Sequence, residues 1–374
     1  MGSTTGIQWA HATWNPVRGC TKISEGCAHC YAADFSLRNP ATLGSWESGA
    51  PRVIGGPANW REPVKLAKAH IKAIAEHAAG QPISEVEGLR ARANKAKDPK
   101  VRVQLLVKAE HIKRRTHEGS PLRLFTASLG DIGEDHPQVA TVRDRIWRET
   151  LPALADLRLP DGRPALVLLA LTKRARVMRD WYDAHGCPDT VWPGVTVENQ
   201  RRADERLPVV AGLPRLWLSM EPLLGPVDLH LTEQRVSNAI DPEWRDGRRG
   251  HPLVSLLGCE CFDKPSAISW IIVGGESGSN ARPMHPEWVR NLRDQAVAAG
   301  VPFFFKQWGG WAELAATQGC EGDKWLVAGA LRPWIAGDVH RHDAPLMRKG
   351  DKHANGRILD YREWNEVPTE VTNG

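Results

Sequence analysis

Three cysteines in the run GCTKISEGCAHCYA, Cys20, Cys27 and Cys30, fall within eleven residues and are flanked by glycines. Thiolates this close in a short Gly-punctuated loop can converge on one soft metal centre. A structural zinc site usually takes four protein ligands. A cubane iron–sulfur cluster held by only three cysteines instead leaves one iron open to a substrate or cofactor. An aromatic residue, Tyr31, directly follows the last thiol.

Other readings of these residues stand beside that one. A disulfide framework is disfavoured by the odd total of seven cysteines, by the 374-residue length and by the lack of a secretory pattern ahead of the loop. A zinc knuckle completed by His29 or His11 remains open, as do buried cysteines without metal, although these need no clustering. A second candidate metal set joins the Cys259/Cys261 pair with Cys187 and Cys320, and nothing in the sequence fixes their proximity.

The bulk properties set wide limits. The chain is 41% hydrophobic and 25% charged, the composition of an ordinary soluble protein, and is long enough for one large α/β domain with insertions, or for two domains. No apolar run is long enough to span a membrane, so the expectation is a cytoplasmic protein with reduced thiols and no membrane partner. A net charge of +5 is compatible with a nucleic-acid partner and weak as an argument for one. Sixteen tryptophans against three tyrosines is a lopsided ratio, and most of these indoles are expected in the core.

The elements that must position the cysteines read as α/β. Continuous apolar runs at 122–131, 165–174, 190–199, 214–223, 268–278 and 301–310 predict strands buried on both faces, as in a parallel sheet. A first strand is expected within IQWAHATWNP, just ahead of the cysteines. Helices are expected at 138–149, 174–183, 199–206 and 285–299. Each strand ends in polar residues: Ser128 and Asp131, Thr172 and Lys173, Glu198 and Asn199, Ser219 and Glu221, Glu276 and Ser277, Lys306 and Gln307. Singly, each reads as a turn or helix cap. Six in succession describe the rim where β/α proteins bind ligands.

Two segments interrupt the alternation. Residues 60–120 predict a helical insertion rich in Lys and Arg, including Arg90, Arg92, Lys95, Lys97, Lys100, Arg102, Lys108, Lys113, Arg114 and Arg115. It reads either as a phosphate-contacting face or as a solvated amphipathic helix pair. Residues 229–267 form a polar insertion. Neither insertion divides the expected single domain of 1–374.

Rim and cysteine loop together resemble a radical S-adenosylmethionine (SAM) protein with a partial (β/α) barrel. More narrowly, TWNPVRGCTKISEGCAHCYA, FTASLGD, LTKR, GVTVENQ, LSMEPLLGPVDL, WIIVGGESG, ARPMHPEWVR and PFFFKQWG resemble a phage- and prophage-encoded family of uncharacterised proteins. That family is grouped near the spore photoproduct lyase branch of radical SAM enzymes. Its relatives share the six-then-two cysteine spacing, where most radical SAM loops have three-then-two.

The resemblance implies a [4Fe–4S] cluster on Cys20, Cys27 and Cys30 with SAM on its open iron. One electron, from a donor such as flavodoxin or ferredoxin, then yields a 5′-deoxyadenosyl radical. It further implies Ser128 and Asp131 as acceptors for the methionine ammonium, and Glu198, Asn199 and Ser219 as acceptors for the ribose. Tyr31 lies beside the cofactor, and Gly274 and Gly275 allow close backbone approach with Glu276 presented. Lys173, Glu221 and Lys306 remain for the substrate side as candidate catalytic residues. GGESG lacks the G-x-G-x-x-G pattern of a dinucleotide site.

The leading expectation is thus a radical SAM enzyme that modifies or repairs a nucleic acid or nucleotide, in the host cytoplasm if phage-encoded. A zinc-stabilised, non-catalytic nucleic-acid-binding protein and a radical SAM enzyme acting on a small molecule or peptide are the alternatives. No helix-turn-helix or RNA-binding signature is present to choose the substrate.

Overall fold

The computed structural model describes residues 5–230, 268–313, 325–327, 332–333, 346–350 and 352–368. Nearly all of the 229–267 insertion, with Cys259 and Cys261, lies outside the described residues, and so does Cys320.

The continuous apolar runs form the strands expected of them. They are β1 (Ala12–Trp14), β2 (Leu122–Thr126), β3 (Leu166–Thr172), β4 (Val191–Thr196), β5 (Leu216–Met220), β6 (Ile268–Gly274) and β7 (Phe303–Gln307). They belong to one seven-stranded sheet in the order β1-β2-β3-β4-β5-β6-β7. β1, β2 and β3 pair in parallel, as do β4, β5, β6 and β7. Every residue of β2, β4 and β5 is buried, which is why these strands read as unbroken hydrophobic runs. Trp14, Trp217 and Trp270 are wholly buried, in keeping with the expectation that tryptophan serves mainly the core.

The chain divides into two compact units. One comprises 1–20, 39–171 and 184–192; the other comprises 21–38, 172–183 and 193–374.

In the first unit, helices α2 (Pro57–Ala78), α3 (Ser84–Lys95) and α4 (Pro99–Glu118) occupy the predicted helical insertion. (The label α1 belongs to Tyr31–Ser36, in the second unit.) Ala73, Ile83, Val86, Leu89, Ala109 and Ile112 form a satellite core between these helices. Asp98 caps α4 by accepting from the Lys100 amide at 2.8 Å, and Gly119 ends it in the left-handed conformation.

This packing corrects part of the basic-face expectation. Arg115 is 2% exposed and sits 3.8 Å from Glu85, so it belongs to the interior of the helical layer. Arg90 pairs with Glu87 and Arg114 with Glu118. The sequence showed a run of cations; the helical period turns one of them inward.

Helix α5 (Pro137–Arg145) runs into a π-helical turn at Ile146–Thr150 and then into α6 (Leu151–Ala155). Between β2 and α5, Glu134 takes two hydrogen bonds from Arg52, at 2.8 and 2.9 Å. Arg52 also donates to Ala50 O at 2.6 Å, and both side chains of the pair are nearly free of solvent.

The second unit adds α7 (Ala175–His185), α8 (Gln200–Val210) and α9 (Pro286–Ala298) around β4–β7. Residues 364–366 cover the outer edge of β7. Phe305 N donates to Trp364 O at 3.0 Å, and Phe304 bridges Asn365 in antiparallel sense. An open strand edge is thereby paired. Among the described residues, no helix is long and apolar enough to cross a membrane.

Removing one partner of a buried ion pair strands the other charge. Arg52→Ala is therefore expected to lower unfolding free energy by about 3–5 kcal/mol in urea titrations. A loss below ~1 kcal/mol, the level of a surface pair, would show that the Arg52–Glu134 pair is solvated.

Candidate active site

In the second unit the cysteine loop is fastened to a buried carboxylate. Glu198, two residues beyond the end of β4, is 0% exposed. Its Oε1 accepts from the Ser24 hydroxyl at 2.6 Å and its Oε2 from Arg206 at 2.7 Å, while Lys173 Nζ lies 4.0 Å from Oε1. Its backbone carbonyl accepts from the Leu224 amide at 2.7 Å. The loop passes so closely that a Cβ on Gly26 would stand 2.6 Å from the Glu198 side chain. Glycine at 26, inside the short turn Glu25–Cys27, is thus a steric requirement.

Glu25 anchors the same turn from the other side. It accepts from Asn199 Nδ2 at 2.5 Å and from two nitrogens of Arg202 at 3.0 and 2.6 Å. The Arg202 hydrogen bonds hold its carboxyl down at about 2. Asn199 meanwhile caps α8 by accepting from the Arg202 amide.

Cys20, Cys27 and Cys30 are of intermediate exposure. Burial alone would push the Cys27 thiol up. The Lys173 charge, backbone hydrogen bonding at Ile23 and the Ser24 hydroxyl, 3.5 Å from Sγ, outweigh it and hold the thiol below its ordinary range. Cys30 occupies the N-cap position of α1 (Tyr31–Ser36). The Tyr31 phenol is pushed well up by surrounding protein, with the Cys30 and Glu221 charges adding. Its side chain nevertheless remains 59% exposed.

The remaining strand ends of this unit carry two further carboxylates. Glu276, after β6, takes a forked pair of hydrogen bonds from Arg282 at 2.5 and 2.9 Å and faces His29 Nδ1 at 3.1 Å. Burial pushes its carboxyl up, but the Arg282 and His29 contacts win and hold it below the usual range. Arg282 also donates to Glu25 O, tying this strand end to the cysteine loop.

Glu221, after β5, pairs with Lys306 of β7 at 2.8 Å. The pair passes over the end of β6, where a Cβ on Gly274 would meet Glu221 Oε1 at 2.5 Å. At Gly275 a Cβ would meet the Trp308 carbonyl at 2.0 Å. Both glycines, expected to admit a ligand, are already required by protein contacts. Ser219 is buried near the end of β5.

The first unit holds Cys20, Ser128 and Asp131. The Cys20 amide donates to Ser45 O at 3.1 Å. Ser128 exchanges hydrogen bonds with Asn15, whose Oδ1 also accepts from the Leu129 amide. Asp131 is 6% exposed and accepts from the Gly133 amide at 2.8 Å. His11 is engaged within this unit: Nδ1 accepts from the Arg123 amide, Nε2 lies 3.0 Å from the Arg123 guanidinium, and burial lowers its pKa to about 3. Among the described residues, no group of three or more His, Cys, Asp or Glu side chains stands as a ready metal-ligand set. The donor chemistry nonetheless suits iron or zinc, since thiolate sulfur is a ligand for both and Cys27 is biased toward thiolate.

Sequence reasoning passed over Ser24, Arg206 and Arg282 as parts of the site. Arg282 stood inside the quoted ARPMHPEWVR run and Ser24 inside the cysteine loop, so their motifs were visible while their roles were not.

Residues 4–368 match the model of a family described as "Protein of unknown function (DUF5131)". No curated protein and no solved structure matches the chain.

Two outcomes test this geometry. Glu25 has a depressed folded pKa, so its stabilisation is complete above the ordinary carboxylate pKa and is lost as pH falls toward about 2. In urea unfolding, the stability gap between wild type and Arg202→Ala is expected to be widest above pH ~5 and to close by pH ~2; a gap independent of pH would overturn the pairing. In metal-free protein, Lys173→Met is expected to raise the Cys27 pKa and slow its alkylation at neutral pH by roughly threefold to tenfold, followed by peptide mapping. An unchanged rate would remove Lys173 from the thiol's surroundings.

Proposed function

We propose that this chain, which belongs to the DUF5131 family, is a radical SAM enzyme acting on a nucleic acid or nucleotide. One observation carries the reading. A cysteine loop with a thiolate-biased Cys27 is fastened through Ser24 and Glu198 to the carboxyl end of a parallel strand, where α/β proteins bind ligands. The strand order supports a partial (β/α) barrel of the radical SAM type. It runs sequentially, without the reversal that marks a doubly wound sheet. The likeness of the cysteine loop and the strand-end motifs to radical SAM proteins adds to it.

In this reading Cys20, Cys27 and Cys30 hold a [4Fe–4S] cluster. With SAM bound, that group supplies one-electron reductive chemistry at the sulfonium, the electron coming from a flavodoxin- or ferredoxin-type donor. The protein's own contribution is positioning. Glu198 and Asn199, whose polar atoms are committed to the loop and to α8, act as positioning residues rather than direct ribose acceptors. Ser128 and Asp131 are the acceptors offered to the methionine ammonium, and Ser219 remains for the ribose. Glu276, forked by Arg282, braces the loop. Tyr31, Lys173 and the Glu221–Lys306 pair face the substrate side, where the pair can hold or pass a proton at Lys306 Nζ.

Anaerobic reconstitution tests the proposal. The expected product is a brown protein with about four irons and broad visible absorbance, abolished by Cys20→Ala, Cys27→Ala or Cys30→Ala and kept in Cys187→Ala. Reduced with dithionite, it should convert SAM to 5′-deoxyadenosine and methionine. Asp131→Ala should weaken SAM binding by ~1.5–3 kcal/mol, the scale of a charged hydrogen bond. A colourless zinc protein, or full iron in all three cysteine variants, would overturn the reading.

A further inference from the structure

Helix α2 presents Pro57, Trp60, Arg61, Val64, Lys65 and Lys68 along one face of its first three turns, at alternating spacings of three and one. That face forms one wall of an open groove of about 600 Å³ in the first unit. The other wall is Arg145, Glu149, Thr150 and Ala153, from the end of α5, the π turn and α6. π turns inserted in α-helices recur at functional sites.

The charge balance of the groove is positive. Arg61, Lys65, Lys68 and Arg145 line it against a single carboxylate, Glu149. Some other exposed helical cations are neutralised one turn away, as in Arg148–Asp144 and Arg201–Glu205. Arg92, Lys95, Lys100 and Arg102 of α3 and α4 are exposed like those of the groove but line no such wall beside an aromatic floor. Glu149 is itself taken by Arg145 at 2.7 Å. Lys65 reaches only Glu62, at 4.0 Å and 78% exposed. Arg61 and Lys68 make no ion pair among the described residues. Arg61 to Lys68 spans roughly 10 Å of helix axis, a row too long for one phosphate and suited to several in series.

The floor of the groove is apolar. Trp60 is 8% exposed, and Arg145 Cζ lies 4.2 Å from the centroid of its ring while the arginine keeps 41% of its own side chain in solvent. The surface offered to a ligand is thus the outer side of the guanidinium over Trp60, beside Val64 and Ala153 and rimmed by cations. A row of positive charge beside a planar stacking surface is the arrangement that takes a single nucleic-acid strand, with phosphates on the rim and bases on the flat side chains.

We propose that this groove binds single-stranded nucleic acid. The inference deepens the substrate class given above and rests on it, while placing the contact on α2 rather than on the 90–115 segment.

The test is fluorescence anisotropy of the full chain with a labelled 15-nucleotide single strand across a salt series. Arg61→Ala/Lys65→Ala/Lys68→Ala should weaken binding at low salt at least tenfold. It should also flatten the log–log salt slope by about 2, from three contacts at ~0.7 each. Lys113→Ala/Arg114→Ala should change neither. These cations are exposed, and unchanged thermal unfolding of the triple variant verifies that the fold is kept. An unaltered affinity and slope in the triple variant would overturn the proposal. So would tighter binding of a duplex, or equal binding of a polyglutamate peptide that the triple variant also loses. Repeating the titration with Cys27→Ala separates the two readings: strand binding that survives loss of iron sustains the groove whatever the fate of the cofactor, and iron retained without strand binding does the reverse.

Discussion

A single buried carboxylate governs the cysteine loop. Taking Glu198 wholly out of water carries a desolvation penalty of several kcal/mol unless its oxygens are fully engaged. Arg206 engages one oxygen and the Ser24 hydroxyl the other, with Lys173 nearby. The consequence is geometric. Because Ser24 must reach Glu198, the loop carrying Cys27 lies against the carboxyl end of β4, and residue 26 can carry no side chain. Charge that would destabilise the fold if left alone becomes the device that locates the thiol. Lys173 serves both purposes, offsetting Glu198 and drawing Cys27 toward its thiolate.

The same logic recurs two strands along the sheet. The Glu221–Lys306 pair joins the strands on either side of β6, so the space above Gly274 is filled by the Glu221 carboxylate. Backbone then packs on backbone at Gly275, under the Trp308 carbonyl. Glu276 is held by Arg282, which reaches back to the cysteine loop through Glu25 O. Each segment of GGESG therefore answers to a different protein neighbour, which is why small residues are needed twice and an acid once. Support of this kind fixes the positions of Glu221 and Lys306 without calling on a loop to order itself when a ligand arrives.

The strands were legible in the sequence because burial on both faces leaves a signature that needs no partner to be read: apolar residues without alternation. The helices after them followed from the same alternation of elements. The site was legible only in outline. The cysteines and polar strand ends stood out by type and spacing, but whether a given polar residue serves protein or ligand depends on partners far away in the chain. Ser24 and Glu198 are separated by 174 residues and His29 and Glu276 by 247. No local pattern carries such a pairing, so Glu198, Asn199, Gly274 and Gly275 read as ligand contacts when their atoms or space are already committed. Arg115 misled for a simpler reason: a cation in a basic run looks solvated until the helical period faces it toward Glu85.

Charge counted along a sequence is a poor map of charge available to a partner. Arg52, Arg206 and Arg282 are absorbed by carboxylates of the fold, and Arg115 sits beside Glu85. Along α4, Arg114 shares its turn with Glu118. What remains after this internal neutralisation is the better guide, because an exposed cation without an internal partner is the one available to displace the counterions condensed on a phosphate. What sets the first turns of α2 apart from the more densely basic stretch after it is the setting of its cations. Arg61 and Lys68 stand, without an ion pair among the described residues, on the wall of a groove whose floor is Trp60 under Arg145. The modest net charge of +5 is thus compatible with a localised positive field, since many acids and bases among the described residues neutralise one another within the fold.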